Sequence, residues 1–306
     1  MTKVLVATVK PFIPKAVEGI RNIVSQAGYE FDLLEEYADQ AEFTDAVADA
    51  DAIIIRSDKA TREVIQASKN LKIIVRAGAG YDNIDLEAAT EKDIVVMNTP
   101  GQNSNAVAEL AMGMMVYFAR NGYNGKAGTE LKGKKLGIHA YGNVGKCVAA
   151  IAKGFGMQIY AYDPYIPQEA IESDDVVCVA SAEELYSICN YISLNIPATE
   201  QTIKSIDYQL LMKIPEPAVL VNTARKEVVH EDDLLRVFEE RSDFAYLTDV
   251  APDCKDVIAE RYPGRYFFTP KKMGAQTAEA NINAGIAAAN QIRDYLENGD
   301  TTYQVN

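Results

Sequence analysis

Positive charge is in short supply in this chain. Lysine and arginine number 30 against 44 aspartates and glutamates, giving a net charge of −14 at pH 7. No run of lysine or arginine exceeds two residues. An acidic chain repels phosphate backbones, so nucleic acid is not an expected partner. Cysteine is sparse as well. Cys147, Cys178, Cys189 and Cys254 show no C-x-x-C spacing, so neither a disulfide framework nor a metal site can be read from them. Long apolar runs are missing. The most apolar stretch, residues 111–119, is far short of the ~20 residues that cross a bilayer, and no membrane association is expected. The start, MTKVLVATVK, has no signal-peptide anatomy and reads as a first strand. These absences leave a reduced, cytoplasmic enzyme or binding protein.

What is present is ordinary globular composition, with 48% hydrophobic and 24% charged residues in 306. That length suggests two domains. Short β-rich runs fall at residues 4–8, 31–34, 52–55, 73–75 and 94–97, with helical patterns between them at 14–27 and 61–67. Residues 103–120 read as a long apolar helix with Asn103 and Ser104 as possible N-caps. A Gly- and Lys-rich connector follows. Strand candidates then recur at 136–139, 158–162, 176–179, 191–195, 219–222, 245–248 and 266–269, and a helix from 277 to about 296 ends the series. This rhythm predicts an α/β chain of doubly wound, mostly parallel sheets.

The strand at 135–139 runs into Ala140-Tyr141-Gly142-Asn143-Val144-Gly145 and then a helix. This is G-x-G-x-x-G with alanine in the first glycine position. Gly142 lets backbone approach a pyrophosphate, and Gly145 lets helix and strand pack closely. The N–H groups and dipole of the helix start favour phosphate. A second strand ends in Asp163, 18 residues past Gly145, close to the ~20 expected of the carboxylate that binds the ribose hydroxyls. That carboxylate repels a 2′-phosphate and favours NAD. The plainer alternative is a structural turn with a capping aspartate. Ala140 is expected to serve only if φ there stays negative.

Several segments together resemble the D-2-hydroxyacid dehydrogenase family, and within it the D-3-phosphoglycerate dehydrogenase branch. They are IIIRSDKATREVIQAS (53–68), RAGAGYDNIDLEAATEKDIVVMNTPGQNSNAVAEL (76–110), GTELKGKKLGI (128–138), VNTARKEVVHEDDLL (221–235) and GAQTAEA (274–280). The resemblance implies a flavodoxin-like substrate domain from residues 1–99 plus 276–306. A Rossmann NAD-binding domain would span 100–275, with the active site in the cleft between the two. It also implies a homodimer, with the apolar helix after Asn103 in its interface.

The same resemblance assigns residues. Arg225, in NTAR, falls on the family's catalytic arginine, whose planar fork suits a carboxylate. The two glycines usual after it are here Lys226 and Glu227. The usual acid/base histidine follows a proline late in the nucleotide domain, but FFTPKKMGAQT has none. His139 ends a strand and His230 precedes the helix EDDLLRVFEE, where capping is the expected role. Lysine fills the histidine's place. Counting from Thr269-Pro270 gives Lys271, and counting back from Gly274-Ala275 gives Lys272, with the longer downstream anchor favouring Lys272. The family's orienting glutamate is absent too, and Asp253 and Cys254 stand near its place. A lysine base must be freed of much of its proton affinity. Burial and the neighbouring Arg225 charge are expected to do this.

Arg56, Ser57 and Arg76 at strand ends, with the loop around Gly78, are expected to bind an anionic substrate. By resemblance Ala79, Ile196, Pro197, Thr223, Ala224 and Asp249 would contact the cofactor. The expected activity is NAD-dependent oxidation of 3-phosphoglycerate to 3-phosphohydroxypyruvate, the entry to serine synthesis. The rivals are a dehydrogenase of another 2-hydroxy acid and a non-catalytic NAD(H)-sensing protein. A C-terminal regulatory domain is not expected after residue 306.

Overall fold

A computed structural model describes residues 1–306. The chain divides into two compact units, Met1–Asn103 with Gln276–Asn306, and Ser104–Ala275.

The first unit contains strands β1 (Lys3–Thr8), β2 (Glu30–Glu35), β3 (Ala52–Ile55), β4 (Ile73–Arg76) and β5 (Val95–Asn98). Its helices in the first segment are α1 (Pro14–Gln26), α2 (Gln40–Val47), α3 (Arg62–Ala67) and α4 (Leu86–Glu91). All five strands pair in parallel, in the order β2-β1-β3-β4-β5. A parallel sheet covered on both faces needs near-continuous apolar strands, and β3, AIII, is buried at every position. Alternation along the strands splits the core in two. Leu5, Ala7, Ile53 and Ile55 face one layer, while Val4, Val6, Ile54 and Val75 face the other.

The second unit opens with α5 (Ser104–Ala119) and continues through β6 (Lys135–His139), α6 (Asn143–Gly154), β7 (Gln158–Tyr162), α7 (Gln168–Glu172), β8 (Val177–Cys178), α8 (Ala182–Ile188), β9 (Tyr191–Leu194), α9 (Tyr208–Leu211), β10 (Val219–Asn222), α10 (Glu231–Glu240), β11 (Ala245–Thr248), α11 (Lys255–Arg261) and β12 (Tyr266–Phe268). Its seven strands are also parallel, ordered β12-β11-β10-β9-β6-β7-β8. The first strand of the unit, β6, is central, and the chain winds outward from it in both directions, as in dinucleotide-binding sheets. The expected fold class is thus the observed one. The apolar run in α5 is used inside this unit: Ala111, Met112, Met114, Met115 and Ala119 are buried there. Its apolarity therefore needs no second chain to explain it. No helix is long and apolar enough to cross a membrane.

The chain closes on the first unit with α12 (Ala278–Asn298), capped by the Thr277 hydroxyl, which accepts from Ala280 N at 3.1 Å. Small residues Ala284, Gly285, Ala288 and Ala289 let α12 lie tightly on α1. A Cβ on Gly285 would stand 2.9 Å from Ile20 Cδ1. Gly285→Val is therefore expected to lower the unfolding free energy by about 1–3 kcal/mol through overpacking. Urea denaturation measures this, and an unchanged midpoint would contradict the packing described.

Candidate active site

In the second unit the strand ends converge on one loop. β6 gives way to Ala140, whose N–H donates to Tyr162 O at 2.9 Å. Ala140 has φ of +74°, so the expected negative φ is not found. The left-handed conformation costs a non-glycine residue roughly 1–2 kcal/mol, and the alanine bears it because neighbours fix the turn on both sides. Tyr141 N donates to Asp163 Oδ2 at 2.8 Å. At Gly145 a Cβ would come 2.4 Å from Ala140 O and 3.0 Å from Ile138 Cγ2. That residue has to be glycine for α6 to lie on β6.

Gly142 differs. Its φ is −77° and a Cβ there would meet nothing within 4 Å, so its lack of a side chain leaves open space at the mouth of α6. No side chain caps α6, and the N–H groups at its start, around Asn143 and Val144, face that space without an intrahelical partner. The Tyr141 ring is fully buried, its hydroxyl donating to Asp174 Oδ2 at 3.1 Å, so only its backbone borders the loop. Asp163 Oδ1 also accepts from Tyr165 N at 2.9 Å. Thr223 Oγ1 and Asn195 Oδ1, just beyond β10 and β9, are buried with no hydrogen-bond partner. Uncapped helix, open glycine, strand-end carboxylate and two orphaned polar atoms fit a dinucleotide, in the crevice where open parallel sheets bind ligands. Ile196 is buried in the core and Pro197 is exposed.

Arg225 is presented by a turn that sequence reasoning did not single out. Asn222 ends β10, and its Oδ1 accepts from Ala224 N at 2.9 Å. Its Nδ2 donates to Arg225 O at 2.9 Å and to Tyr246 Oη at 3.0 Å. An asparagine closing its own turn is a local signal visible in NTAR. Arg225 Nη1 donates to Ala224 O at 3.0 Å. Lys226 begins a short turn, Lys226–Val228, and its ammonium pairs with Asp253 Oδ1 at 2.5 Å. Glu231 accepts from Asp253 N at 2.8 Å and Cys254 N at 2.9 Å. Asp253 and Cys254 therefore hold loops together. Burial pushes the Cys254 thiol up to about 12, which makes it a poor nucleophile.

The lysine segment hangs on Asp249. This carboxylate is 1% exposed. Its Oδ1 accepts from Thr269 Oγ1 at 3.0 Å and Met273 N at 2.7 Å, and its Oδ2 from Gly274 N at 2.7 Å. Lys271 and Lys272 lie on the segment so fixed, and both are exposed. The expected desolvation of the amine is not supplied by the fold. Asp249 draws the Met273 and Gly274 N–H groups inward, and the two preceding side chains are left at the surface.

In the first unit, Arg76 Nε donates to Arg56 O at 2.9 Å, and Arg56 Nη1 donates to Lys10 O and Pro11 O at 2.9 and 3.0 Å. Ser57 is exposed beside them. The Arg76 guanidinium lies across Gly78, where a Cβ would be 1.6 Å from Nη1. Gly78 N donates to Arg76 O at 2.8 Å, which leaves the N–H groups of Ala79 and Gly80 as the loop's candidates for a carboxylate. Asn98 Nδ2 holds Ala79 O at 2.6 Å.

Residues 5–306 match the family described as D-isomer specific 2-hydroxyacid dehydrogenase, catalytic domain. The chain belongs to the D-2-hydroxyacid dehydrogenase family. It is 38% identical over 277 residues to a D-3-phosphoglycerate dehydrogenase of Methanocaldococcus jannaschii, covering 83% of this chain and 51% of the relative. It is 36% identical over 280 residues to a hydroxypyruvate reductase of Thermotoga maritima, covering 86% of this chain and 90% of that one. Among solved structures, the NAD+-bound 3-phosphoglycerate dehydrogenase of Entamoeba histolytica superposes with a TM-score of 0.90 at 49% identity, covering 100% of this chain and 98% of that one. The chain spans about half the length of the phosphoglycerate dehydrogenases it matches among curated relatives.

Neither histidine of the chain is exposed. His139 is buried, with Nδ1 3.2 Å from Tyr186 Oη, and desolvation pulls its pKa down to about 4. His230 caps α10, accepting from Asp233 N at 3.3 Å.

Two outcomes follow from this geometry. The unfolded chain protonates His139 near 6.5 while the folded chain resists until about 4. Stability is therefore full above pH 6.5 and falls by up to about 3 kcal/mol on acidification through that window. His139→Asn should remove that part of the slope in denaturant titrations at pH 7 and 4.5. Ala140→Gly, relieving the positive φ, should leave stability unchanged or raise it by up to about 1 kcal/mol. Gly145→Ala should lower both stability and NADH affinity. Unaffected NADH fluorescence titrations in Gly145→Ala would contradict the loop assignment.

Proposed function

We propose that the protein is an NAD-dependent D-2-hydroxyacid dehydrogenase that interconverts 3-phosphoglycerate and 3-phosphohydroxypyruvate. The observation that carries this is the pairing of a Rossmann loop and its Asp163 with an arginine turn and a lysine segment on neighbouring strand ends of one sheet.

NAD, when bound, supplies the hydride acceptor. Asp163 would hold the ribose hydroxyls, and the α6 N-terminus and Gly142 the pyrophosphate. Thr223, Ala224, Asn195 and the Ile196-Pro197 segment would line the remainder, with Ala79 and Asp249 assigned there by family likeness. Arg225 would fix the substrate carboxylate and polarise the carbinol oxygen through its fork. Arg56, Ser57, Arg76 and the Gly78 loop would receive the substrate's anionic groups. Lys271 or Lys272 would exchange the hydroxyl proton. An ammonium donates a proton as it stands, so reduction of the keto acid needs no prior burial. Oxidation needs the free amine and should be fastest on the alkaline side. A homodimer and a cytoplasmic location are parts of the same reading.

The phosphorylated substrate is preferred over hydroxypyruvate because the curated relatives named for it include the M. jannaschii and Synechocystis enzymes. NADH oxidation with each keto acid tests the reading. The expected result is turnover of both, with kcat/KM at least tenfold higher for 3-phosphohydroxypyruvate, a margin of about 1.4 kcal/mol. Equal or reversed values would assign an unphosphorylated substrate. Tight NADH binding without turnover would leave a sensor of the cofactor.

A further inference from the structure

The loop at the mouth of α6 is held from a direction that cofactor contact does not explain. Tyr141 precedes the open glycine, and its ring is fully buried in the core layer that includes α6, together with Ile171 and Val176. Its hydroxyl still has a charged partner, donating to Asp174 Oδ2 at 3.1 Å. Asp174 itself is exposed, in the turn between α7 and β8. A surface carboxylate therefore satisfies the one polar atom of a buried ring. Asp174 enters β8 from its amino end, whereas ligands of open parallel sheets lie beyond the carboxyl ends. Its task is thus separate from ligand contact.

The turn that presents Asp174 is braced. Asp174 N donates to Ile171 O at 3.2 Å and Asp175 N to Glu172 O at 2.9 Å. Asp175, with φ of +53°, swings the chain into β8. Buried Ile171 and Val176 anchor the turn on either side. From the last turn of α6, Lys153 Nζ donates to Asp174 O. One residue thus ties the chain just before α6 to the far end of the same helix.

Tyr141 also follows a residue in an unfavourable conformation. Ala140 has φ of +74°, and such a backbone persists in a non-glycine residue only where the surroundings over-determine it. Ala140 N is held by Tyr162 O at 2.9 Å, and Tyr141 N by Asp163 Oδ2 at 2.8 Å. Both restraints act on the backbone, and Asp163 must share its oxygens with the ribose of a bound cofactor. The bond to Asp174 pins the opposite end of the Tyr141 side chain, and with it the direction in which the chain leaves toward Gly142.

We propose that Asp174 is a positioning residue for the cofactor, acting through the Tyr141 ring to aim Gly142 and the first N–H groups of α6 at the pyrophosphate. The inference rests on the assignment of this loop to NAD and adds to it a carboxylate from outside the crevice.

The test is NADH fluorescence titration of the full chain and its Asp174→Ala, Asp174→Asn, Tyr141→Phe and Asp174→Ala/Tyr141→Phe forms. Asp174→Ala is expected to weaken NADH binding about tenfold, through loss of a hydrogen bond between a charged group and a buried hydroxyl. Its kcat at saturating NADH should be unchanged. Asp174→Asn keeps a carbonyl acceptor and should stay within about twofold of the parent. In the Tyr141→Phe background, replacing Asp174 should change nothing further. Equal losses in both backgrounds would overturn the inference, as would a lowered Tm in Asp174→Ala with parent-like NADH affinity. Tyr141→Phe leaves no polar group unpaired in the core, so it decides the matter even if Asp174→Ala does not fold: weaker NADH binding supports the inference and parent-like binding overturns it. A parent chain that binds no NADH overturns the loop assignment and this inference with it. A parent that binds NADH, with every variant matching it, overturns this inference alone.

Discussion

One buried carboxylate fixes the segment that follows β12 in the second unit. Asp249 offers its two oxygens to the Thr269 hydroxyl and to the N–H groups of Met273 and Gly274. Removing an ion of this kind from water is tolerable only when each oxygen gains donors in return. The donors it gains all belong to the segment that carries Lys271 and Lys272. The path of the backbone that carries those amines is thus set from the end of β11. Gly274 completes the arrangement, since a Cβ there would stand 3.0 Å from Asp249 Oδ2.

The same economy recurs at the arginine. Asn222 folds the NTAR turn around its own amide, and the Tyr246 hydroxyl anchors that amide from β11. Lys226, on the far side of the turn, pairs with Asp253. Glu231 fastens the same segment to the start of α10. The result is a cross-braced pair of loops. An exposed ion pair such as Lys226–Asp253 contributes little to stability alone; its effect is on the shape of the turn.

Much of this was legible in the sequence. Every strand overlapped a predicted run, most plainly where a strand buried on both faces leaves a block such as AIII at β3. The short helices α7, α9 and α11 were not, since helices of four to seven residues carry too few turns for a period to emerge. The G-x-x-G spacing correctly marked the tight approach at Gly145, but the backbone at Ala140 was misjudged. Local propensity opposes a positive φ for alanine, and tertiary bonds to Tyr162 O and Asp163 override it. Lysine exposure was misjudged too, because desolvation depends on which way a loop is pulled, and Asp249 stands far from the lysines in the chain. The arginines at 56 and 76 were read as anion ligands from their charge, their strand-end positions and the family resemblance. Their contacts to backbone carbonyls are three-dimensional facts with no signature in spacing.

The central claim is that an ammonium on the Asp249-clamped segment exchanges the substrate proton. Its most direct test is single-turnover NADH oxidation by a saturating keto acid in Lys271→Ala and Lys272→Ala, with and without added methylamine. The account predicts that one variant keeps its NADH affinity, slows by about 10²–10⁴-fold and recovers part of its rate with the added amine. Parent-like rates in both variants, indifferent to methylamine, would contradict it.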